Sequence, residues 1–382
     1  MFNHGVLPTE IWLEIIGWAT YNPNIGDREI PFSLIPDNTS DSNLQVRAQV
    51  AAVCRAWNTW VTHNLYRDVK VDRNLIMLCE TLDRPRGFDC LKYGQMVHRM
   101  VLPYNSTTTT SPSSLPSAEI LKLCPCLHTL HRPLYGPAGT LRFEYEAQSV
   151  SLPSLRRLEW WHNMEAERSG GINSLADMLC SAPFLQYLFI GGVVGTTHMG
   201  THRTSITMNQ LETLRLHIRS GVLLRHIVSR WKLPSLKRVI LDSLPAREGT
   251  HILWDEFGAQ LEAVELGRHL QFLVTDSLTT CLRSCPHLQQ LNYYLFFSFP
   301  PQEFIRHASL STVNIHAHVN PMLLGNGNAW HMVEQHFEFL CSSGLSSLRH
   351  INLYGDWRAI IYHPQFAKIS QKLSDCSKIV QR

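Results

Sequence analysis

Apolar residues recur along this chain in a fixed spacing: one residue, a second three positions later, and a third two positions after that. The spacing occurs nine times, and successive repeats begin 22 to 38 residues apart. Only the first repeat lacks an apolar third position, where Arg132 stands. The repeats are Leu127, Leu130, Arg132; Leu155, Leu158, Trp160; Leu185, Leu188, Ile190; Leu211, Leu214, Leu216; Leu236, Val239, Leu241; Leu261, Val264, Leu266; Leu288, Leu291, Tyr293; Leu310, Val313, Ile315; and Leu348, Ile351, Leu353. Two weaker repeats precede them, at Tyr66, Val69, Val71 and at Val97, Met100, Leu102.

Each repeat predicts a short β-strand, because side chains alternate between the two faces of a strand and positions two apart share a face. Apolar residues at steps of three and four between the repeats predict helices. These helical patterns cover Leu75 to Leu82, Ile120 to Cys124, Leu175 to Leu179, Val222 to Trp231, Leu278 to Leu282 and Val333 to Leu340. In five repeats a proline two residues before the first position would end the preceding helix. These prolines are Pro125, Pro153, Pro183, Pro234 and Pro286.

The alternation of strand and helix resembles leucine-rich repeats, whose period is roughly 20 to 29 residues. The resemblance implies an α/β fold in which short parallel strands and helices stack into a solenoid over residues 67–357. The Ser/Thr-rich stretch 105–117 is predicted to be a mobile loop within it. Residues 358–382 are predicted to form a capping helix, with Phe366, Ile369 and Leu373 at helical spacing. The alternative is an ordinary α/β sheet domain with coincidental leucine spacing.

Residues that alternate with the apolar positions would face outward, on the concave sheet of a solenoid. Aromatic and charged side chains on such a face are typical of an interaction surface. We predict that a target protein binds there, at Arg157, Trp161, Tyr187, Phe189, Arg215, His217, Arg238, Asp242, Asn292, Tyr294, His316 and Tyr354. The same outward series includes Glu159, Glu265, Asn314, His350 and Asn352. Alternatively, some of the aromatic side chains pack against loops.

The first 66 residues show a different, helical pattern. Pro8 suits the first position of a helix, and Ile11, Ile15 and Ile16 follow at helical spacing. A second periodic segment runs from Val46 to Val61. Two short amphipathic helices leave apolar surface for a partner, as helix-in-groove recognition requires.

Three motifs in this region, Leu7-Pro8-Thr9-Glu10-Ile11, Val53-Cys54-Arg55-Ala56-Trp57 and Leu65-Tyr66-Arg67, make residues 1–66 resemble an F-box. The resemblance implies a non-catalytic substrate-recognition subunit of an SCF-type ubiquitin ligase. Its F-box would bind a Skp-type adaptor, and through it a cullin–RING ligase, while the repeats would hold a target for ubiquitin-dependent degradation. The implied adaptor contacts are Leu7, Pro8, Val53, Cys54 and Trp57, with Ile11 and Ile15 on the same helical stripe. Some of these residues, Trp57 first, would instead form the core of the F-box.

The chain departs from the F-box pattern at an insertion over residues 21–43, which contains three prolines. Loop closure entropy rises only logarithmically with length, so the insertion is compatible with the fold. Three alternatives remain open at this point. The region could be a helical hairpin that caps the next domain, the protein could be a ligase-independent interaction scaffold, or the chain could be an enzyme with a deep pocket of converging titratable groups.

The composition limits the classes of partner and the cellular compartments that are expected. The chain has 382 residues, 44% of them hydrophobic, and its 34 basic and 31 acidic residues form no basic run, so a nucleic-acid partner is not expected. Ten cysteines without a secretory signal predict reduced thiols in the cytoplasm or nucleus. No apolar stretch reaches the roughly 18 residues that cross a bilayer, so a membrane partner is not expected either.

Two candidate chemical sites are set aside. A zinc site could be drawn from Cys124, Cys126, His128 and His131. Cys124 and Cys285 occupy the same position in their repeats, however, which favours a small core residue, and the second Cys pair is missing. The glycines of Gly191 to Gly195 lack the Gly-Lys-Ser/Thr ending of a phosphate loop. We therefore predict no metal, no cofactor and no catalytic residue.

Overall fold

Short parallel strands alternate with helices in the computed structural model of this chain. The structure describes residues 7–20, 30–36, 42–71, 75–85, 91–104, 117–133, 149–192, 205–218, 221–243, 250–268, 276–317, 327–376 and 379–381. Contacts divide the chain into two units, and each is described by itself. Unit 1 comprises Met1–Glu29, Pro36–Leu185 and Met199–His202; unit 2 comprises Ile30–Ile35, Gln186–His198 and Arg203–Arg382.

Unit 1 begins with three helices and continues with alternating strands and helices. Its elements are α1 Thr9–Ala19, α2 Ser42–Ala51, α3 Arg55–Arg67, β1 Asp68–Lys70, α4 Leu75–Asp83, β2 Arg99–Val101, α5 Ser117–Lys122, β3 Thr129–Arg132, β4 Arg157–Trp161, α6 Met164–Ser169 and α7 Leu175–Ser181. Strands β1 to β4 pair in chain order, and every pairing is parallel. Helix α3 leads directly into β1, as the closing Leu65-Tyr66-Arg67 motif suggested.

Arg132, the exception to the apolar spacing, is buried in unit 1, where both of its terminal NH2 groups donate hydrogen bonds. Its guanidinium donates to the carbonyl oxygens of Leu102 at 3.3 Å and Ile172 at 2.9 Å. Its carbon Cζ lies 4.4 Å from the ring centroid of Tyr104 and 5.4 Å from that of Trp160. Cation–π contacts and carbonyl acceptors offset the cost of burying the charge, so the inward position is kept.

Unit 2 consists largely of one parallel sheet with helices between its strands. Its elements are β5 Tyr187–Gly191, β6 Ile206–Thr207, β7 Thr213–His217, α8 Gly221–Arg230, β8 Trp231–Lys232, β9 Arg238–Ser243, α9 His251–Phe257, β10 Ala263–Leu266, α10 Ser277–Ser284, β11 Gln290–Tyr294, β12 Thr312–Ala317, α11 Gly327–Leu340, β13 His350–Gly355, α12 Arg358–Ile361, α13 Phe366–Asp375 and β14 Ile379–Gln381. The order in the large sheet is β5-β7-β9-β10-β11-β12-β13-β14. Strands β6 and β8 form a separate parallel pair. The fold is therefore α/β with a large parallel sheet, since parallel neighbours require crossover connections.

Within each unit, the repeated apolar spacing maps onto the paired strands in register. The second position of one repeat pairs with the second position of the next, as Val264 pairs with Leu291 and Leu291 with Val313. All three positions of all nine repeats, Arg132 included, are at most 9% exposed. The prediction that these positions face the interior is confirmed, and their stacking supplies the core.

Some predicted elements differ from the observed ones. The periodic segment from Val46 to Val61 is two helices rather than one, because the chain leaves the helix after Ala51 and α3 starts again with Cys54 as its N-cap. The C-terminal segment is not a single helix, since α12 and α13 are followed by β14, which pairs with β13. Of the Ser/Thr-rich stretch 105–117, only Ser117 lies within the described residues, and of the insertion only 30–36 and 42–43 do.

Candidate functional site

The three N-terminal helices of unit 1 share a small core. The rings of Trp12 and Trp57 lie 5.1 Å apart between centroids, and Ile16 of α1 and Val61 of α3 are buried. Arg47 joins this core to the first strand, because its NH1 lies 2.9 Å from Oδ2 of Asp68 in a buried ion pair. These contacts hold α1 against α3 without using most of the apolar side chains on α1.

The unused apolar side chains form what we call the apolar helical surface. Its members are between 38 and 72% exposed: Leu7, Ile11, Leu13, Ile15, Trp18 and Val53. Ile11, Ile15 and Trp18 are spaced by four and three residues and therefore share one face of α1, as is typical of a helix that packs on a partner. Leu13 and Trp18 were not among the predicted contacts, although the same helix carries them.

The predicted adaptor residues divide between surface and core. Leu7, Ile11, Ile15 and Val53 are exposed, and Pro8 is exposed as the residue that precedes α1. Cys54 is half-buried and caps α3, with its Sγ accepting the backbone N–H of Trp57 at 3.5 Å. Trp57 is half-buried against Trp12, in agreement with the expectation that it belongs partly to the core.

In unit 2, part of the insertion lies on the outward face of the parallel sheet. We call this part, Ile30–Ile35, the insertion segment. The ring of Phe32 stands 5.0 Å from Tyr294, 5.1 Å from His316 and 5.2 Å from Tyr354, measured between centroids. All three contacts are edge-on, the arrangement that aromatic quadrupoles favour. The aromatic side chains of β11, β12 and β13 therefore form a pocket, and Phe32 fills it.

A glycine makes room for this pocket. Gly355 ends β13 with a φ of 83°, and a Cβ there would lie 2.5 Å from Cε1 of His316. Any other residue would be strained by its backbone and would displace the imidazole.

Arg215 of β7 binds the next residue of the insertion segment. Its Nε and NH2 donate to the two carboxylate oxygens of Asp242 at 2.8 and 2.7 Å. Its NH1 donates to Oγ of Ser33 at 2.9 Å, and its NH2 also donates to the Ser33 carbonyl at 2.8 Å. Asp242 thus fixes one edge of the guanidinium fork, while the other edge is aimed at the segment.

Glu265 of β10 receives the backbone N–H of Phe32, at 3.1 and 3.2 Å from its two oxygens. It is also the acceptor at the end of a row of side-chain amides that we call the amide ladder. Asn352 donates to Asn314 at 2.7 Å, Asn314 to Asn292 at 2.7 Å, and Asn292 to Glu265 at 2.8 Å. Burial raises the pKa of Glu265, against hydrogen bonds from Asn292 and Phe32 that lower it.

We call Arg215, Asp242, Glu265, Tyr294, His316 and Tyr354 the sheet-face site. Five of these were predicted as target-binding residues, all except Glu265, and the structure brings them together around the insertion segment. Asn292 is buried in the amide ladder. His217 and Arg238 are half-buried on β7 and β9. Tyr187 and Phe189 are 6% and 0% exposed, so neither is accessible to a partner in this structure.

The predicted residues of unit 1 have contacts of their own. Trp161 is buried and donates its indole N–H to the carbonyl of Pro36 at 2.6 Å. Arg157 Nε donates to Glu159 at 2.8 Å, and Nδ1 of His131 lies 3.1 Å from the same carboxylate. Burial raises the pKa of Glu159, but His131 and Arg157 outweigh that effect and hold the pKa at about 2. This cluster is an ion-pair network within the fold rather than an open site.

The sequence interpretation missed Phe32, Ser33 and Glu265. Glu265 was placed in the outward series but was not singled out. Phe32 and Ser33 were read as loop, although Phe-Ser-Leu-Ile between Pro31 and Pro36 is an apolar run inside a polar insertion. Such a run, in which the prolines restrict the accessible backbone conformations, indicates a segment that packs against another part of the protein.

Among the described residues there is no group of three or more His, Cys, Asp or Glu side chains that could hold a metal ion. No helix in the described part of the chain is long and apolar enough to span a membrane. No protein-family model matches the sequence, and no curated protein matches it significantly.

Proposed function

We propose that this protein is an F-box-type substrate-recognition subunit of an SCF-type ubiquitin ligase. In this proposal the N-terminal helices bind a Skp-type adaptor, and the strand and helix units form a leucine-rich-repeat-like solenoid that holds a target protein. The chain itself performs no bond chemistry. It contributes proximity, because a tethered target presents its lysines at a high effective concentration.

The apolar helical surface is the observation that carries the proposal. Leu7 and Val53 are exposed at positions where the F-box resemblance implies adaptor contacts, and Ile11 is exposed on the same helical stripe, while Trp12 and Trp57 pack against each other. Burying this apolar surface against an adaptor would contribute about 25 cal/mol for each Å² removed from water. The regular strand and helix units support the second half of the proposal, since stacked repeats present a wide outward face.

Ile11→Asp tests adaptor binding directly. A carboxylate on the apolar helical surface would have to be desolvated in the complex, so we expect co-purification with a Skp-type adaptor to be lost. Met77→Asp is the matched control, because Met77 lies on α4 of the same unit, is apolar and is 66% exposed. Equal adaptor recovery by both folded variants would contradict the proposal.

The rival function is a ligase-independent interaction scaffold. It predicts that the wild-type chain recovers no adaptor and no cullin from cells, while its target is retained. Co-purification of the full chain from cells therefore separates the two functions with one measurement.

A further inference from the structure

The insertion segment is held in the way that a peptide ligand is held. Its backbone N–H at Phe32 is bound by Glu265, and its carbonyl at Ser33 is bound by Arg215. One side chain enters an aromatic pocket, and the hydroxyl of the next receives a hydrogen bond from the same guanidinium. Main-chain hydrogen bonds combined with side-chain pockets are the usual mode of short-peptide recognition.

The sheet-face site is built independently of its occupant. Asp242 orients Arg215 from within the sheet, and the amide ladder orients Glu265 through three consecutive hydrogen bonds. Tyr294 and His316 already contact each other, with 4.6 Å between ring centroids. Side chains fixed in this way lose little conformational entropy when a ligand binds.

The insertion segment, by contrast, occupies the sheet-face site in an unfavourable backbone conformation. Phe32 has a φ of 59° and is the only residue other than glycine with a positive φ in the described part of the chain. Left-handed backbone is unfavourable for an aromatic residue. Its neighbour Leu34 makes no use of the site, since 89% of that side chain is exposed. The segment is thus a ligand that its tether helps to retain, at an effective concentration on the order of millimolar.

We propose that the sheet-face site recognises a short peptide with an aromatic residue followed by a small hydroxyl-bearing residue, and that the insertion segment is a built-in competitor for it. This inference rests on the proposed function, in which the outward face receives the target. The aromatic side chain would enter between Tyr294, His316 and Tyr354, and Arg215 would bind the residue that follows. A target binds only when its peptide displaces Phe32 and Ser33.

The test uses the full chain and a labelled peptide with the sequence of residues 28–38, Arg-Glu-Ile-Pro-Phe-Ser-Leu-Ile-Pro-Asp-Asn, followed by fluorescence anisotropy. Phe32→Ala empties the aromatic pocket, so we expect this variant to bind the peptide at least about tenfold more tightly than wild type. Leu34→Ala is the matched control and should behave as wild type. A peptide with Ala in place of its Phe should bind neither protein.

A second variant, Phe32→Gly, keeps the test valid if Phe32→Ala does not fold. Phe32→Gly removes the ring and also relieves the positive φ, and it should show the same gain in peptide binding. Equal peptide affinity of wild type and both Phe32 variants would overturn the competition. Absence of peptide binding to cooperatively folded Phe32 variants, up to millimolar peptide, would overturn the recognition site itself.

These outcomes are independent of the adaptor. The peptide assay contains no adaptor, so loss of adaptor binding leaves its result unchanged. If peptide binding fails while adaptor binding holds, the proposed ligase function stands and only the sheet-face assignment falls.

Discussion

The two candidate surfaces differ in what already covers them. The side chains of the apolar helical surface are exposed. The sheet-face site is polar and aromatic, and the insertion segment of the same chain already forms hydrogen bonds with its Glu265 and Arg215. Exposure alone therefore identifies only one kind of binding surface, because a preformed site can already be occupied by another segment of the same chain. Substitutions should therefore affect stability at the sheet-face site and leave it nearly unchanged at the helical surface.

Arg215→Ala should have the largest effect on stability. The substitution leaves Asp242 buried without its bidentate partner, and loss of one member of a buried pair costs about 3 to 5 kcal/mol. Urea unfolding monitored by circular dichroism measures the change. Arg238→Ala is the control, because Arg238 is half-buried on the neighbouring β9 and should cost about 0.5 kcal/mol or less. A comparable loss of stability in both variants would contradict the prediction that the ion pair of Arg215 with Asp242 makes a special contribution.

Acid should destabilise unit 2 through His336, which is fully buried beneath β11. Burial lowers the pKa of His336 to about 4, against backbone hydrogen bonds that raise it. Because the pKa is lowered, the contribution to stability is present above the ordinary pKa of 6.5 and is lost as the pH falls towards 4. At about 1.4 kcal/mol for each pH unit, the loss is about 3 kcal/mol.

His336→Gln isolates this contribution, because glutamine does not titrate and can keep a hydrogen bond to the Ser298 carbonyl. Urea unfolding at pH 7 and pH 4 should show the stability difference between wild type and variant shrinking in acid. A difference that stays constant between the two pH values would show that other groups govern acid sensitivity.

Asn314→Ala should have an intermediate effect, because Asn314 is the middle of the amide ladder. The substitution removes the hydrogen bond that Asn314 donates to Asn292 and the one that it accepts from Asn352. We expect the two losses together to cost about 2 kcal/mol of stability. Asn352→Ala removes only the outer bond and should cost about half as much. Thermal unfolding of both variants measures the ratio, and equal losses would mean that the ladder does not act as a connected row.

Ile11→Asp should have the smallest effect on stability, within about 0.5 kcal/mol, because the side chain is already exposed. The same substitution is expected to abolish adaptor binding. A large loss of stability would instead mean that the helical surface is a packed part of unit 1, and the contrast between the two surfaces would disappear.

The sheet interior could be predicted from sequence because it obeys one local rule. An alternating strand buries every second side chain, so the spacing of Leu211, Leu214 and Leu216 already determines which residues stack. The outward face of the sheet was likewise predictable as a list, and it included Arg215, Asp242, Tyr294, His316 and Tyr354.

The occupant of that face could not be predicted in the same way. Phe32 and Glu265 are 233 residues apart in sequence, and the residues around either one do not predict a contact with the other. The break between α2 and α3 was missed for a related reason, since the apolar periodicity continues through Val53 while the backbone leaves the helix there. The apolar periodicity predicts which side chains are buried, whereas the start and end of each helix also depend on capping residues such as Cys54.

Hydrogen exchange of the full chain with and without a Skp-type adaptor tests the central claim most directly, since it locates the adaptor on one of the two surfaces. We expect new protection in α1 and in the first turns of α3, around Ile11, Ile15 and Val53, and unchanged exchange in β7 to β13. Protection confined to the sheet-face site, or no protection of a folded chain at saturating adaptor, would contradict the proposed function.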